Sequence, residues 1–169
     1  SGSMSGYNDR EASLACWTIK RALEAIDAPV TVYAFDDQTE VAYKRTEKTH
    51  KTRYKFIYGN GGTEPYGALL AAEQILMASR KKNKMLFIIT DGVFDKRRND
   101  ELITRISQRG ILTAMTLIMA DSEYKWHQER GTGDEEFRHQ AEVFSRITKA
   151  ADLVPFAKSV VTTAIRKRR

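Results

Sequence analysis

The run Met85-Leu86-Phe87-Ile88-Ile89 constrains the fold of this chain more than any other stretch. It is apolar without alternation, with a lysine before it and Thr90-Asp91 after it. A strand with one wet face alternates polar and apolar residues, whereas one covered on both faces does not. The run therefore predicts a central parallel strand, and a parallel sheet needs helices on both faces.

The flanking segments supply them. Asp9 reads as an N-cap, followed by Ala12, Ala15, Cys16, Ile19, Ala22, Leu23 and Ile26 at helical spacing. Asp27-Ala28-Pro29 ends that helix. Val30 to Phe35 is β-branched and aromatic and predicts a strand; Thr39 to Lys44 predicts its antiparallel partner across a tight turn. Tyr54 to Tyr58 reads as a short extended segment. Pro65 opens a helix whose buried face is Leu69, Ala72 and Leu76. Asn99 or Asp100 caps another, running through Ile103 and Ile106 to a C-cap at Gly110. Ile111 to Met119 predicts a second buried strand, and residues 120–133 a long polar loop. Asp134 begins a helix with Phe137, Ala141, Phe144 and Ile147 on one face; Leu153-Val154 makes a last short strand, and Pro155 starts a final helix with Val160, Val161, Ala164 and Ile165 inward. The fold class is α/β: three layers, doubly wound and Rossmann-like, mostly parallel with one antiparallel edge strand. One strand is missing from this pattern. Residues 1–6 lead directly into the first helix, where a doubly wound sheet would place a strand before the loop.

At 169 residues the chain predicts a single domain over 1–169. A core of that size forms without a metal or disulfide to staple it. Cys16 is the only cysteine, which excludes an internal disulfide and suits a reducing compartment. No apolar run is long enough to span a membrane. The expectation is a cytoplasmic protein without membrane contact.

Three loops carry oxygen ligands. Ser1-Gly2-Ser3-Met4 precedes the first helix, Gly62-Thr63 precedes the second, and Thr90-Asp91-Gly92 follows the central strand. Each stands where an α/β sheet puts the carboxyl end of a strand, and hard oxygen ligands suit a magnesium-type cation. Taken singly, each residue is an ordinary turn or cap. As an ordered set they resemble a von Willebrand factor A (vWA) domain with a metal-ion-dependent adhesion site. That family's pattern is Asp-x-Ser-x-Ser, a later Thr, and an Asp-Gly after the fourth strand. The resemblance implies metal ligands at Ser1, Ser3, Thr63 and Asp91. It places the family's first Asp and first strand before Ser1. It implies Mg2+ (or Mn2+ or Ca2+), held by Ser1 and Ser3 directly, by Thr63 on partner engagement and by Asp91 largely through water. An open cation position would accept an Asp or Glu from a partner protein. Among vWA proteins the chain is similar to intracellular bacterial or phage forms, such as the cobalt and magnesium chelatase subunits that work beside AAA+ ATPases.

Competing chemistry is weaker. The glycines at 59, 61 and 62 lack the Lys-Ser/Thr of a phosphate loop. His50, His127 and His139 have no metal-ligand spacing and read as solvated; Cys16 reads as core. Asp36, Asp37 and Asp95 read as turn residues. A metal-assisted hydrolase or nuclease would need Asp91 or Asp95 as its base. The net charge of +6, with basic runs at 80–82, 96–98 and 166–169, leaves a nucleic-acid-associated module as a third class. The sequence favours a non-enzymatic, metal-dependent protein-binding module.

Overall fold

In a computed structural model of the chain, residues 7–58, 62–92, 94–153, 155–157 and 160 are described. The order is α1 (Tyr7–Glu24), β1 (Val32–Phe35), β2 (Thr39–Tyr43), α2 (Tyr66–Ala78), β3 (Met85–Thr90), α3 (Lys96–Gln108), β4 (Leu112–Ile118), α4 (Asp121–Glu129), α5 (Asp134–Arg138) and β5 (Val143–Ile147). A 3-10 turn over Ala150–Asp152 follows.

The predicted central run is β3. It pairs in parallel with β4, Met85 opposite Leu112, and β4 pairs in parallel with β5, Ala114 opposite Val143. All of β4 is buried, as a strand with neighbours on both edges and helices on both faces should be. Side chains alternate between two cores. Leu112, Ala114 and Ile118 meet Ala12, Ala15 and Ile19 of α1 together with Leu153, Phe156 and Val160. Leu86, Ile88 and Met115 meet Leu69 of α2 and Leu102, Ile103 and Ile106 of α3. The three-layer α/β architecture is thus as expected. Gly110 ends α3 at φ +77°, a conformation that suits glycine.

The sheet is not continuous. β1 and β2 form their own antiparallel pair, Val32 opposite Tyr43 and Phe35 opposite Thr39. Among the described residues no strand joins β1 to β3. Ile26, expected on the buried face of the first helix, lies in the turn past the end of α1 and is 67% exposed; Ile75 of α2 is 38% exposed.

Four local expectations fail. Residues 120–133 are not a loop throughout, because Asp121–Glu129 is helical with no buried residue. Without an apolar stripe it gave no periodic signal; Asp121 and Glu123 in the first turn and His127 in the last complement the helix dipole instead. The helix begun at Asp134 stops at Arg138, and His139 takes φ +53°. Val143–Ile147 is then a strand, so the helical spacing of Phe137, Ala141, Phe144 and Ile147 is coincidental and ladder pairing to β4 decides the local structure. Leu153 is helical rather than extended. Finally, α3 starts at Lys96, since the Asp95 carboxylate caps it by accepting from the Arg98 N–H at 3.4 Å. The final helix is helical at 155–157 and 160; position 154 and residues 161–169, with the predicted inward Val161, Ala164 and Ile165, lie outside the described residues.

Candidate functional site

The turn between β1 and β2 builds one wall of the site. Asp36 closes it, its Oδ1 accepting from the Gln38 N–H at 2.8 Å. The same turn grips the next loop at two points. The Gly62 N–H donates to Asp37 Oδ1 at 2.9 Å, and the Glu64 N–H donates to the Asp36 carbonyl at 3.0 Å. Thr63, between these anchors, is fixed from both sides. Glycine at position 62 keeps this approach open: a Cβ there would lie 2.6 Å from Asp37 Oδ1 and the Asp37 side chain would have to shift, loosening its hold on the loop. The Asp36-Asp37 pair read as turn residues therefore does more than turn the chain, since it positions Thr63.

The end of β3 builds the opposite wall. Thr90 Oγ1 donates to the Gly92 carbonyl at 3.2 Å and accepts from the Gly92 N–H at 3.3 Å, folding Thr90-Asp91-Gly92 back on itself. Asp91 is 2% exposed, so its carboxylate is held inside the protein. Asp9, in the first turn of α1, is buried as well. Asp9, Thr63 and Asp91 line a single cleft of about 70 Å³, walled by Tyr33, Ala34, Phe35 and Ile89. The cleft lies at the carboxyl ends of β1 and β3, where open α/β sheets bind their ligands.

The structure thus brings Thr63 and Asp91 together and adds Asp9, which the sequence reading took only as a helix cap. Its position two turns upstream of Cys16 on the core face could have flagged it, because an Asp on an apolar stripe needs polar company. Ser1 and Ser3 lie outside the described residues. Asp9, Thr63, Thr90 and Asp91 offer side-chain oxygens to the cleft, the chemistry a hard cation takes, alongside the Cys16 thiol. Among the described residues no group of three or more His, Cys, Asp or Glu could hold a metal, so a cation here would depend on hydroxyls as well as carboxylates.

Of the other candidates, Asp95 is the α3 cap. Cys16 is half-buried rather than fully core, and burial pushes its thiol up to about 12. His139 is not solvated. It is 2% exposed, stacks on Phe94 at 3.8 Å between ring centroids, and places Nδ1 2.8 Å from Asp100 Oδ1. Burial lowers its pKa, with Asp100 opposing. Phe94 follows Asp91 closely, so this stack anchors the loop leaving the site. Basic residues 96–98 are partly engaged in surface contacts within the chain: Lys96 pairs with Glu136 at 3.1 Å, and the Arg98 guanidinium lies over the Tyr66 ring at 3.4 Å. No helix among the described residues is long and apolar enough to cross a membrane.

No family model matches the sequence, and no curated protein matches it. Solved structures do resemble it. A conserved hypothetical protein BatB from Bacteroides thetaiotaomicron superposes with TM-score 0.65 at 10% identity, over 94% of this chain and 89% of that one. An aerotolerance-related membrane protein from Bacteroides fragilis gives 0.62 at 12% identity, again over 94% and 89%. A von Willebrand factor type A protein from Catenulispora acidiphila gives 0.61 at 19% identity over 95% of this chain, which spans only 39% of that protein. At such identities the likeness speaks for the fold alone, and that fold is vWA-like.

Proposed function

We propose that the chain is a non-enzymatic, metal-dependent protein-binding module of the adhesion-site type. The observation that carries this reading is the convergence of Thr63 and Asp91, from separate loops, on one cleft with Asp9. Ser1 and Ser3 would complete the ligand set with Thr63 and Asp91, around Mg2+ or, in its place, Mn2+ or Ca2+. The cation supplies an electrophilic centre whose open position accepts a partner's carboxylate. The chain's own part is positional. Asp37 and the Asp36 carbonyl hold Thr63 at the rim, the Thr90–Gly92 turn aims Asp91 inward, and neutral hydroxyls leave positive charge for the incoming Asp or Glu. The partner class is a protein with an exposed acidic side chain, an AAA+ ATPase in a chelatase-like complex being the expected example, and the compartment is the cytoplasm. A hydrolase would draw on Asp91 or Asp95 as its base; the Asp95 carboxylate caps α3, which leaves Asp91 alone for that role.

Calorimetric titration with Mg2+ and with Mn2+ tests it. Binding should weaken roughly ten- to a hundredfold in Thr63→Ala and in Asp91→Ala. Asp121→Ala, at the start of α4, where the carboxylate pairs with Arg146 of β5, should leave it unchanged. Equal affinity in all four proteins would sink the proposal, as would metal-independent binding of random RNA.

A further inference from the structure

An apolar cleft of about 570 Å³ lies between β1 and β3. The smaller site cleft has Ile57 and Tyr58 in its wall, beside Thr63 and Asp91. Those two residues belong to the segment 53–58, which is neither helix nor turn and which two hydroxyls hold in place. The Tyr43 hydroxyl, on β2, accepts from the Lys55 N–H at 2.6 Å and donates to the Lys55 carbonyl at 3.2 Å. The Ser13 hydroxyl, on α1, accepts from the Ile57 N–H at 2.9 Å and donates to the Ile57 carbonyl at 3.4 Å. Both backbone groups of residues 55 and 57 thus turn toward the protein. In an extended chain the groups of the alternate residues turn the opposite way. Among the described residues the N–H and C=O groups of Tyr54, Phe56 and Tyr58 have no hydrogen-bond partner. The segment is built like an edge strand, with one side satisfied and the other presenting a row of donors and acceptors.

We infer that this edge docks an extended segment of a partner protein, with acidic residues alternating with apolar ones, by adding it as a strand. The alternation of the edge itself chooses the occupant. Tyr54, Phe56 and Tyr58 are all exposed and fall on one face, where the Phe56 and Tyr58 rings meet at 4.6 Å between centroids. Tyr54 is steadied edge-on by the Trp17 ring at 6.0 Å. Arg53 and Lys55 take the other face. A strand paired here sets its apolar side chains beside the rings and its carboxylates beside the cations. The surroundings carry the same sign. Residues 44–55 hold Lys44, Arg45, Lys48, Lys51, Arg53 and Lys55 against Glu47 alone, and among the described residues only Lys55 of these cations is in an ion pair. A second copy of the chain fits badly, because it would bring the same cationic face against itself. Single-stranded nucleic acid would meet the rings and the charge but leave the strand-spaced N–H and C=O groups unpaired. The inference rests on the protein-binding reading, since Tyr58 leads a docked strand to the Thr63 and Asp91 cleft, but it does not need the cation.

The probe is a fluorescein-labelled peptide of about eight residues that alternates glutamate and valine. It is titrated by fluorescence polarisation against the 169-residue chain in EDTA. Saturable binding is expected, weakened about tenfold or more when lysine replaces glutamate. Methylating the backbone N–H groups of one alternate set of peptide residues should weaken it about tenfold or more, and methylating the other set should not, which is the signature of strand addition. Phe56→Ser and Arg53→Glu, both at exposed positions, should each weaken binding severalfold, and the methylated peptides read the same contact on an unaltered protein. No saturable binding up to about 1 mM overturns the inference. So does equal loss from both methylated sets, or tighter binding of a short oligouridylate than of the peptide. The metal titration fails or succeeds separately. Peptide binding in EDTA without Mg2+ uptake removes the cation and keeps the edge, whereas Mg2+ uptake without peptide binding removes the edge and keeps the cation.

Discussion

Glu24→Gln is the perturbation whose size the structure sets most directly. Lys20 is a fully buried lysine, and its three ammonium protons have three acceptors: Glu24 Oε1 at 2.7 Å, the Val30 carbonyl at 3.1 Å and the Lys44 carbonyl at 3.4 Å. Glu24 Oε2 in turn accepts from the Thr49 N–H and O–H, both at 2.8 Å. This cluster ties α1 to the start of β1, to the end of β2 and to the loop beyond, so it fixes one wall of the apolar cleft. Burial raises the Glu24 pKa, but the Lys20 ammonium and the two Thr49 donors outweigh it, and the carboxyl falls from 4.5 to about 2. A depression of that size is worth roughly 3 kcal/mol to the folded state at neutral pH.

The sign follows from linkage. A carboxyl whose pKa is depressed on folding stabilises above its unfolded value and loses that contribution as pH falls toward the folded one. Glu24→Gln should therefore cost about 3 kcal/mol at pH 7, a large part of a typical domain's stability. The gap from wild type should narrow to roughly 1 kcal/mol at pH 3, where the unfolded chain's carboxyl is already largely protonated and the folded one still mostly ionised. Urea denaturation at stepped pH measures it. A gap below about 1 kcal/mol at pH 7, or one that stays constant from pH 7 to pH 3, refutes the reasoning, because the cost would then come from shape rather than charge.

Gly62→Ala should destabilise by about 1–3 kcal/mol through overlap with Asp37 Oδ1, and Asp37→Ala in the same chain should relieve the clash; thermal unfolding of the single and double variants decides. Ile103→Ala, at a wholly buried position on the inner face of α3, should cost about 2–5 kcal/mol in chemical denaturation, with metal affinity unchanged in the protein that remains folded. His139 is held neutral by burial, against Asp100 and Glu136 and with Lys96, so the unfolded chain takes up its proton first. Stability should be fully present above pH 6.5 and decline as pH falls below it; His139→Gln should flatten that slope, and an unchanged slope removes His139 as its source.

The layers of this fold were legible because burial writes itself into apolar patterning: Met85–Ile89 could only be a covered strand, and the Pro65 helix could only begin there. The patterning failed where another force decides. Asp121–Glu129 has no buried face, and its helix rests on end charges. Val143–Ile147 carries a helical spacing but sits beside an open ladder on β4, whose hydrogen bonds override it. In the site, Thr63 and Asp91 were legible as loop residues after strands, while their common cleft with Asp9 depends on contacts 25 residues apart between Asp37 and Gly62 that no local spacing records. The discontinuous sheet joins these two kinds of information. The sequence has a helix where a strand should come first, and the structure has two strand edges facing an apolar space at that place.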